Sequence, residues 1–171
     1  MRVITLHEPW ATLMALGHKT IETRGWPTDC RGDLAIHAAK TMPAYARDAC
    51  RENRAIRQIL TSWTAGTPAE GIIFRAPQKY FPLGKILCVV EMVMCRKMVV
   101  ASDGGYTNWW DSIKSEASPS CDFAIEWDLG NWEDGRFAWI TRNCRPLKNP
   151  IAATGKQGFW EYPTDQIRAA L

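Results

Sequence analysis

The sequence predicts an α+β domain that is mainly β: a small barrel of strands with a short N-terminal helix and one longer helix packed on it. Three observations predict it. Short runs alternating apolar and polar residues recur between Gly and Pro breaks, only two stretches carry strong helical spacing, and one nearly continuous apolar run, ILCVVEMVMC, reads as a strand covered on both faces.

The elements follow in order. Val3 to Leu6 is a short apolar strand. Pro9 suits a first helical turn and Gly17 a helix end, which brackets a two-turn helix over PWATLMALG. KTIETR alternates with period two, so Thr20, Glu22 and Arg24 share one strand face and Lys19, Ile21 and Thr23 the other. Gly25 and Pro27 end that strand, and DLAIHAAK resumes one, with Leu34, Ile36 and Ala38 opposed to Ala35 and His37. Thr41 is the expected N-cap of the longest helix, whose apolar stripe runs through Ala46, Ala49, Cys50, Asn53, Ile56 and Leu60, with Arg47, Arg51, Arg54 and Arg57 turned to solvent. Gly66 to Gly84 reads as a lid or insertion, and 97–122 as a long loop before FAIEW. FAWITR, RPL and GFWEY are further short strands, and Thr164 to Leu171 a terminal helical turn.

Length and composition bound the function. The 171 residues fit one domain, 1–171, and 46% hydrophobic with 23% charged residues is ordinary for a folded soluble protein. No apolar run approaches the roughly 20 residues that span a bilayer, and MRVITLHEPWATLMALGHK has no export pattern, so a cytoplasmic protein without membrane contact is expected. Six dispersed cysteines form no CxxC or CxxH pair; reduced, inert thiols are expected, and neither a metal nor a cofactor. No GxGxxG, P-loop, HExxH or GxSxG signature occurs. A net charge of +3 is too small to hold duplex by charge alone and suits a short strand or a single nucleoside. Nine tryptophans are expected mostly in the core, with two or three lining a site.

Functional side chains concentrate between His7 and Lys40. Lys19 is either a surface amine or a base in a cleft beside Glu22 or Glu91. Glu22 and Arg24 are either an ion pair or a proton relay with a guanidinium grip on a base carbonyl or phosphate. Trp10 and Trp26 are core residues or stacking platforms; His7 and His37 have no metal-ligand spacing, and His37 reads as a satisfied strand histidine or a cleft donor. Arg31 before Gly32 suits a turn presenting a guanidinium, and Lys156 sits in a Gly-flanked turn that could close a cleft. Glu91, the one charge inside its apolar strand, needs a partner.

LHEPWATLMALGHKTIETRGW and CRGDLAIHAAK resemble the ASCH family pattern: a proline-tryptophan helix, G-x-K-x-x-E-x-R, then R-G and an apolar strand ending H-A-x-K. GRFAWITRNCRPLKNPIAATGKQGFWEY resembles its closing segment, while 42–81 and 97–122 look like variable insertions. The resemblance implies a PUA-like β-barrel and a cleft for a nucleoside, a modified cytosine or single-stranded RNA or DNA, in a monomer or weak dimer. Some small members deacylate N4-acylated cytidine and others cleave RNA. On that basis the amide-hydrolase roles fall on Lys19, Glu22, Thr20 and Glu91, and binding on His7, Trp10, Arg24, Trp26, Arg31, His37, Lys40 and Lys156. The alternatives are binding of RNA or single-stranded DNA without catalysis, and a ribonuclease in which Lys19 and a hydroxyl or carboxylate promote internal attack by the 2′-hydroxyl. One departure matters: the amide-hydrolysing pattern has threonine three residues after its lysine, and here that position is Glu22, so either Thr20 or a water activated by Glu22 would attack.

Overall fold

The computed structural model describes residues 1–99, 110, 111, 113, 115–119 and 121–171. Among them, six strands form one mixed sheet in the order β2-β5-β4-β3-β1-β6. They are β1 (Arg2–Leu6), β2 (Ile21–Arg24), β3 (Gly32–Ala38), β4 (Lys85–Lys97), β5 (Phe137–Ala152) and β6 (Phe159–Glu161). β1 and β3 are parallel, with Ile4 opposite Ile36, and the other pairings are antiparallel. β2 is an edge strand, yet the Arg24 guanidinium on it donates to the Thr5 carbonyl of β1 at 3.1 Å. Only a curled sheet brings those strands together, so the sheet is a half-barrel whose seam lies between β2 and β1. Register shifts at Ile36/His37 and along β4–β5 supply the bending.

The central apolar run is β4, and it is covered on both faces. Inside the curl, Ile4, Leu6, Leu34, Ile36, Val90, Met92 and Trp139 pack together, joined by Ala11 and Met14 of α1 (Trp10–Ala15). On the outer face Val3, Ala35, Val89 and Trp160 pack with Ile167 of the C-terminal helix Thr164–Ala170. Two-sided burial is why these strands read as continuous apolar runs rather than clean alternation. At the end of α1 the chain turns through Gly17, whose φ of +77° is the left-handed conformation that glycine adopts without strain.

Four sequence expectations need correction. The longest helix is two helices, α2 (Ala44–Glu52) and α3 (Arg54–Thr64). Asn53 breaks them: its backbone is extended, and its side chain accepts from Ile56 N at 2.9 Å as an N-cap. The burial stripe through Ala46, Cys50, Ile56 and Leu60 nonetheless runs across the break. Thr41 is not the cap; Pro43 precedes α2 without a side-chain hydrogen bond. The segment from Gly66 to Gly84 is no free lid, because Ile73 and Phe81 are buried against α2 and α3. FAWITR and RPL are one 16-residue strand, β5, which accommodates Pro146 opposite Cys88, beside a register shift where a missing N–H costs least. FAIEW opens α4 (Phe123–Leu129), capped by Asp122, whose carboxylate accepts from Ala124 N at 2.9 Å. Most of the expected loop over 97–122 lies outside the described residues.

Candidate functional site

The seam of the half-barrel holds a cleft of about 560 Å³, within the broad range of roughly 300–1,000 Å³ typical of small-molecule sites. One wall is the sheet: Thr5 and His7 at the end of β1, then Glu22, Arg24 and Trp26 at the end of β2. The other wall is helical, with Trp10 of α1, Tyr45 of α2, Asn53 between α2 and α3, and Asp128 to Asn131 at the end of α4. Arg136 also borders the cleft.

Period-two alternation puts Glu22 and Arg24 on the cleft face of β2 while Ile21 is buried away from it; Thr23 is buried too, yet also borders the cleft. Arg24 Nε lies 3.0 Å from Glu22 Oε1, an ion pair with side chains only 25% and 15% exposed. The Arg24 Nε–H is nevertheless out of line for a hydrogen bond to that oxygen, and the buried Nε has no hydrogen-bond partner among the described residues. Arg136 repeats the arrangement, since Nη2 donates to the Thr23 carbonyl at 3.1 Å and its buried Nε is unsatisfied among the described residues. Two guanidinium groups on one cleft thus retain donors, an unfavourable condition unless a ligand or water accepts them.

The helical wall is held by polar bonds, those of Glu126 and Lys19 buried. Glu126 on α4 is fully buried; its carboxylate accepts from Thr20 N, from Thr20 Oγ1 at 2.7 Å and from Ile21 N at 3.3 Å. Burial pushes the Glu126 carboxyl up, while the nearby Lys19 charge and these hydrogen bonds act against the rise. The Lys19 ammonium, likewise buried, donates to the Ile21 carbonyl and to the Leu129 carbonyl at 3.4 Å, and lies 3.7 Å from Glu22 Oε2. Trp10 Nε1 donates to that same Leu129 carbonyl at 2.9 Å, and Asn53 Nδ2 donates to Asp128 O at 2.7 Å. Lys19, Trp10 and Asn53 therefore tie the end of α4 to three other parts of the chain.

At the mouth, His7 Nδ1 and the Tyr45 hydroxyl are hydrogen-bonded, and the Trp10 and Tyr45 ring centroids are 6.0 Å apart. Burial, then the positive charge of Arg24, lowers the His7 pKa, which keeps the ring neutral near pH 7. Burial raises the Tyr45 hydroxyl, with Arg24 opposing and Glu22 reinforcing.

Of the residues singled out in the sequence, the cleft brings together His7, Trp10, Glu22, Arg24 and Trp26. Lys19 and Thr20 sit immediately behind its wall, the Thr20 hydroxyl committed to Glu126. Five others are not among the lining residues either. Glu91 is across the sheet with Arg142 (3.0 Å) and Asn143 (2.6 Å), hydrogen bonds that hold its carboxyl below the usual range. His37 is buried under Gly155, where an added Cβ would fall 2.5 Å from its ring, and its Nε2 meets Ala153 O at 3.2 Å. Arg31 folds back onto the Cys30 carbonyl at 2.7 Å, and Lys40 and Lys156 are exposed. Tyr45, Asn53, Asp128, Asn131 and Arg136 were missed. Tyr45 falls on the edge of the α2 stripe and Asn53 within it, a usable signal; the others had none.

Among the described residues no group of three His, Cys, Asp or Glu could hold a metal ion, and no helix is long and apolar enough to cross a membrane. A family model described as ASCH domain matches residues 4–148. Among solved structures, an ASCH protein from Zymomonas mobilis is similar with a TM-score of 0.49 at 13% identity, covering 98% of this chain and 90% of that one. A tyrosine-to-phenylalanine mutant of that protein gives 0.49 and 13%, covering 98% and 94%. A serine-to-alanine mutant gives 0.48 and 13%, covering 98% and 92%. A comparison with curated proteins finds no match.

Proposed function

Since the chain belongs to the ASCH domain family, we propose that the seam cleft binds a pyrimidine base, presented as a nucleoside or on single-stranded RNA or DNA. One observation carries the reading: aromatic walls from Trp10, Trp26 and Tyr45 enclose the same hollow as the unsatisfied donors of Arg24 and Arg136. Aromatic side chains stack on any base, and a guanidinium presents a planar set of donors to a carbonyl or a phosphate. Glu22 and Asp128 supply acceptors for an exocyclic amino group, and Asn53 and Asn131 can donate or accept. The modest charge of +3 is in keeping with a short strand.

A second reading, deacylation of N4-acylated cytosine, is favoured by the placement of Glu22. Its carboxylate borders the cleft, with Arg24 and Lys19 beside it. In that reaction Glu22 takes a proton from water as the water oxygen bonds to the acyl carbon. The bond from acyl carbon to N4 then breaks, the proton passes to N4, and carboxylic acid and cytosine nucleoside leave. Thr20 has no part in this version, because its hydroxyl serves Glu126. Lys19 acts as a positioning residue: its ammonium is engaged by two main-chain carbonyls, which also removes the reason for a ribonuclease reading built on it.

Calorimetric titration with cytidine and with single-stranded RNA and DNA, beside incubation with N4-acetylcytidine, tests both. Binding that is lost in Arg24→Met, without turnover, is the expected result. Cytidine release that disappears in Glu22→Gln moves the conclusion to the hydrolase, and neither binding nor turnover ends both readings.

A further inference from the structure

The cleft and a second hollow share a wall. On the far side of Trp26 lies a groove, also of about 560 Å³, bordered by Arg2, Trp26, Thr28, Asp29, Cys30 and Phe159. Trp26 is 36% exposed and lines both spaces. It is also fixed: its ring meets Trp139 and Phe159 edge to face at centroid distances of 4.5 and 5.4 Å, and its carbonyl accepts from Trp139 Nε1 at 3.3 Å. A rigid indole between two hollows binds with little ordering cost.

One guanidinium, that of Arg2, borders the groove, and a second, that of Arg31, is held by the carbonyls of two bordering residues. The Arg2 side chain is 55% exposed, with its guanidinium carbon 5.9 Å from the centre of the Phe159 ring. Arg31 is pinned onto the carbonyls of Thr28 at 3.3 Å and Cys30 at 2.7 Å. Opposing them, Asp29 borders the groove and Glu161 lies 3.9 Å from Arg2 Nε. That exposed ion pair holds Arg2 weakly, and an aspartate beside an aromatic ring can accept from a cytosine amino group.

From this juxtaposition we propose that the groove holds the nucleotide next to the one in the cleft, so that a single strand crosses Trp26 with a base on either side and Arg2 and Arg31 beside its phosphates. The proposal rests on the reading of the cleft as a base-binding site. It selects a polymer, not a free nucleoside, as the ligand, and it gives Arg31 a place that the cleft does not.

The test is calorimetry with cytidine monophosphate and with tetracytidylate in ribose and deoxyribose forms, on the wild-type protein and on Arg2→Gln and Arg31→Gln. Both substitutions are on exposed side chains, so folding is preserved. At least one tetranucleotide is expected to bind about tenfold more tightly than the monophosphate. Each substitution should weaken tetranucleotide binding several-fold, reduce its salt dependence by roughly 0.7 in log–log slope, and leave the monophosphate unaffected. Tetranucleotides no tighter than the monophosphate, or unchanged in both variants, would overturn the groove while the cleft reading stands. Failure of the monophosphate itself to bind removes the cleft reading, and this proposal with it.

Discussion

Two glutamate–arginine pairs in this protein share a separation and differ in their hydrogen bonding and surroundings. Glu22 with Arg24 and Glu91 with Arg142 are each separated by 3.0 Å. Glu91 and Arg142 face each other across β4 and β5, 31% and 38% exposed, and Glu91 accepts from both Arg142 Nε and Nη2 and from Asn143. That pair is satisfied and open to water. Glu22 and Arg24 instead stand two residues apart on an edge strand, in a cavity, with Lys19 buried behind them and Arg24 Nε left without a hydrogen-bond partner among the described residues. An ion pair becomes a binding site when its surroundings enclose it and leave donors over; a sequence displays only the pair.

The strongest way to break this comparison is Lys19→Met. Deleting a cation from a buried network should cost about 3 kcal/mol, because carbonyls and a carboxylate lose their partner away from water. Urea unfolding reads the loss, and a shift no larger than that of Arg142→Met would remove the distinction between the regions.

Glu8 sharpens the comparison by extending it to a carboxyl paired with no cation among the described residues. It is fully buried and hydrogen-bonded by Thr12 N at 3.0 Å and Thr12 Oγ1 at 2.9 Å. Burial raises its pKa from 4.5 to about 7, with both Thr12 bonds opposing. Between those values the folded state keeps a proton that the unfolded chain has released, so this stabilisation is complete below pH 4.5 and is lost as pH rises through 7. Glu8→Gln carries no such proton. It should gain on the wild type between pH 5 and 8 by on the order of 2–3 kcal/mol, read as melting temperatures across that range; a pH-independent difference would refute the assignment.

Asn53→Ala should have a smaller effect, about 1 kcal/mol of stability for a lost helix cap. The bond to Asp128 goes with it, so base affinity should fall as the helical wall loosens; unchanged affinity would show that α4 needs no such tie. The smallest effect belongs to Glu91→Gln, which should leave base binding unaltered in calorimetry.

Much of the fold was legible because the sheet writes itself into local pattern. The strands around Ile4, Ile36 and Val89 are apolar runs since both their faces are covered, and Gly17 and Gly25 punctuate the chain as turn residues should. The misreadings have local causes too. Asn53 fits the apolar stripe by spacing yet ends one helix and caps the next, and Pro146 resembles a strand terminator although the strand carries it beside a register shift. The cleft divides the same way. Glu22, Arg24 and Trp26 were visible because one strand end presents them together. Tyr45, Asp128, Asn131 and Arg136 arrive from distant stretches of chain when the sheet curls, and that curl is a property of long-range pairing which no short window contains. Lys19 and Thr20 show the reverse: their proximity to the motif suggested chemistry, whereas their hydrogen bonds commit them to holding α4 in place.

A base is expected to enter the seam between β1, β2 and the helical wall. Titrating cytidine into nitrogen-15-labelled protein and following the indole N–H signals of the nine tryptophans tests it most directly. The Trp10 and Trp26 signals should move saturably, while Trp63, stacked on Phe81, and Trp160, bonded to Thr5 at 3.1 Å, stay in place. Saturable shifts confined to Trp63 or Trp160, or none at all at millimolar cytidine, would contradict it.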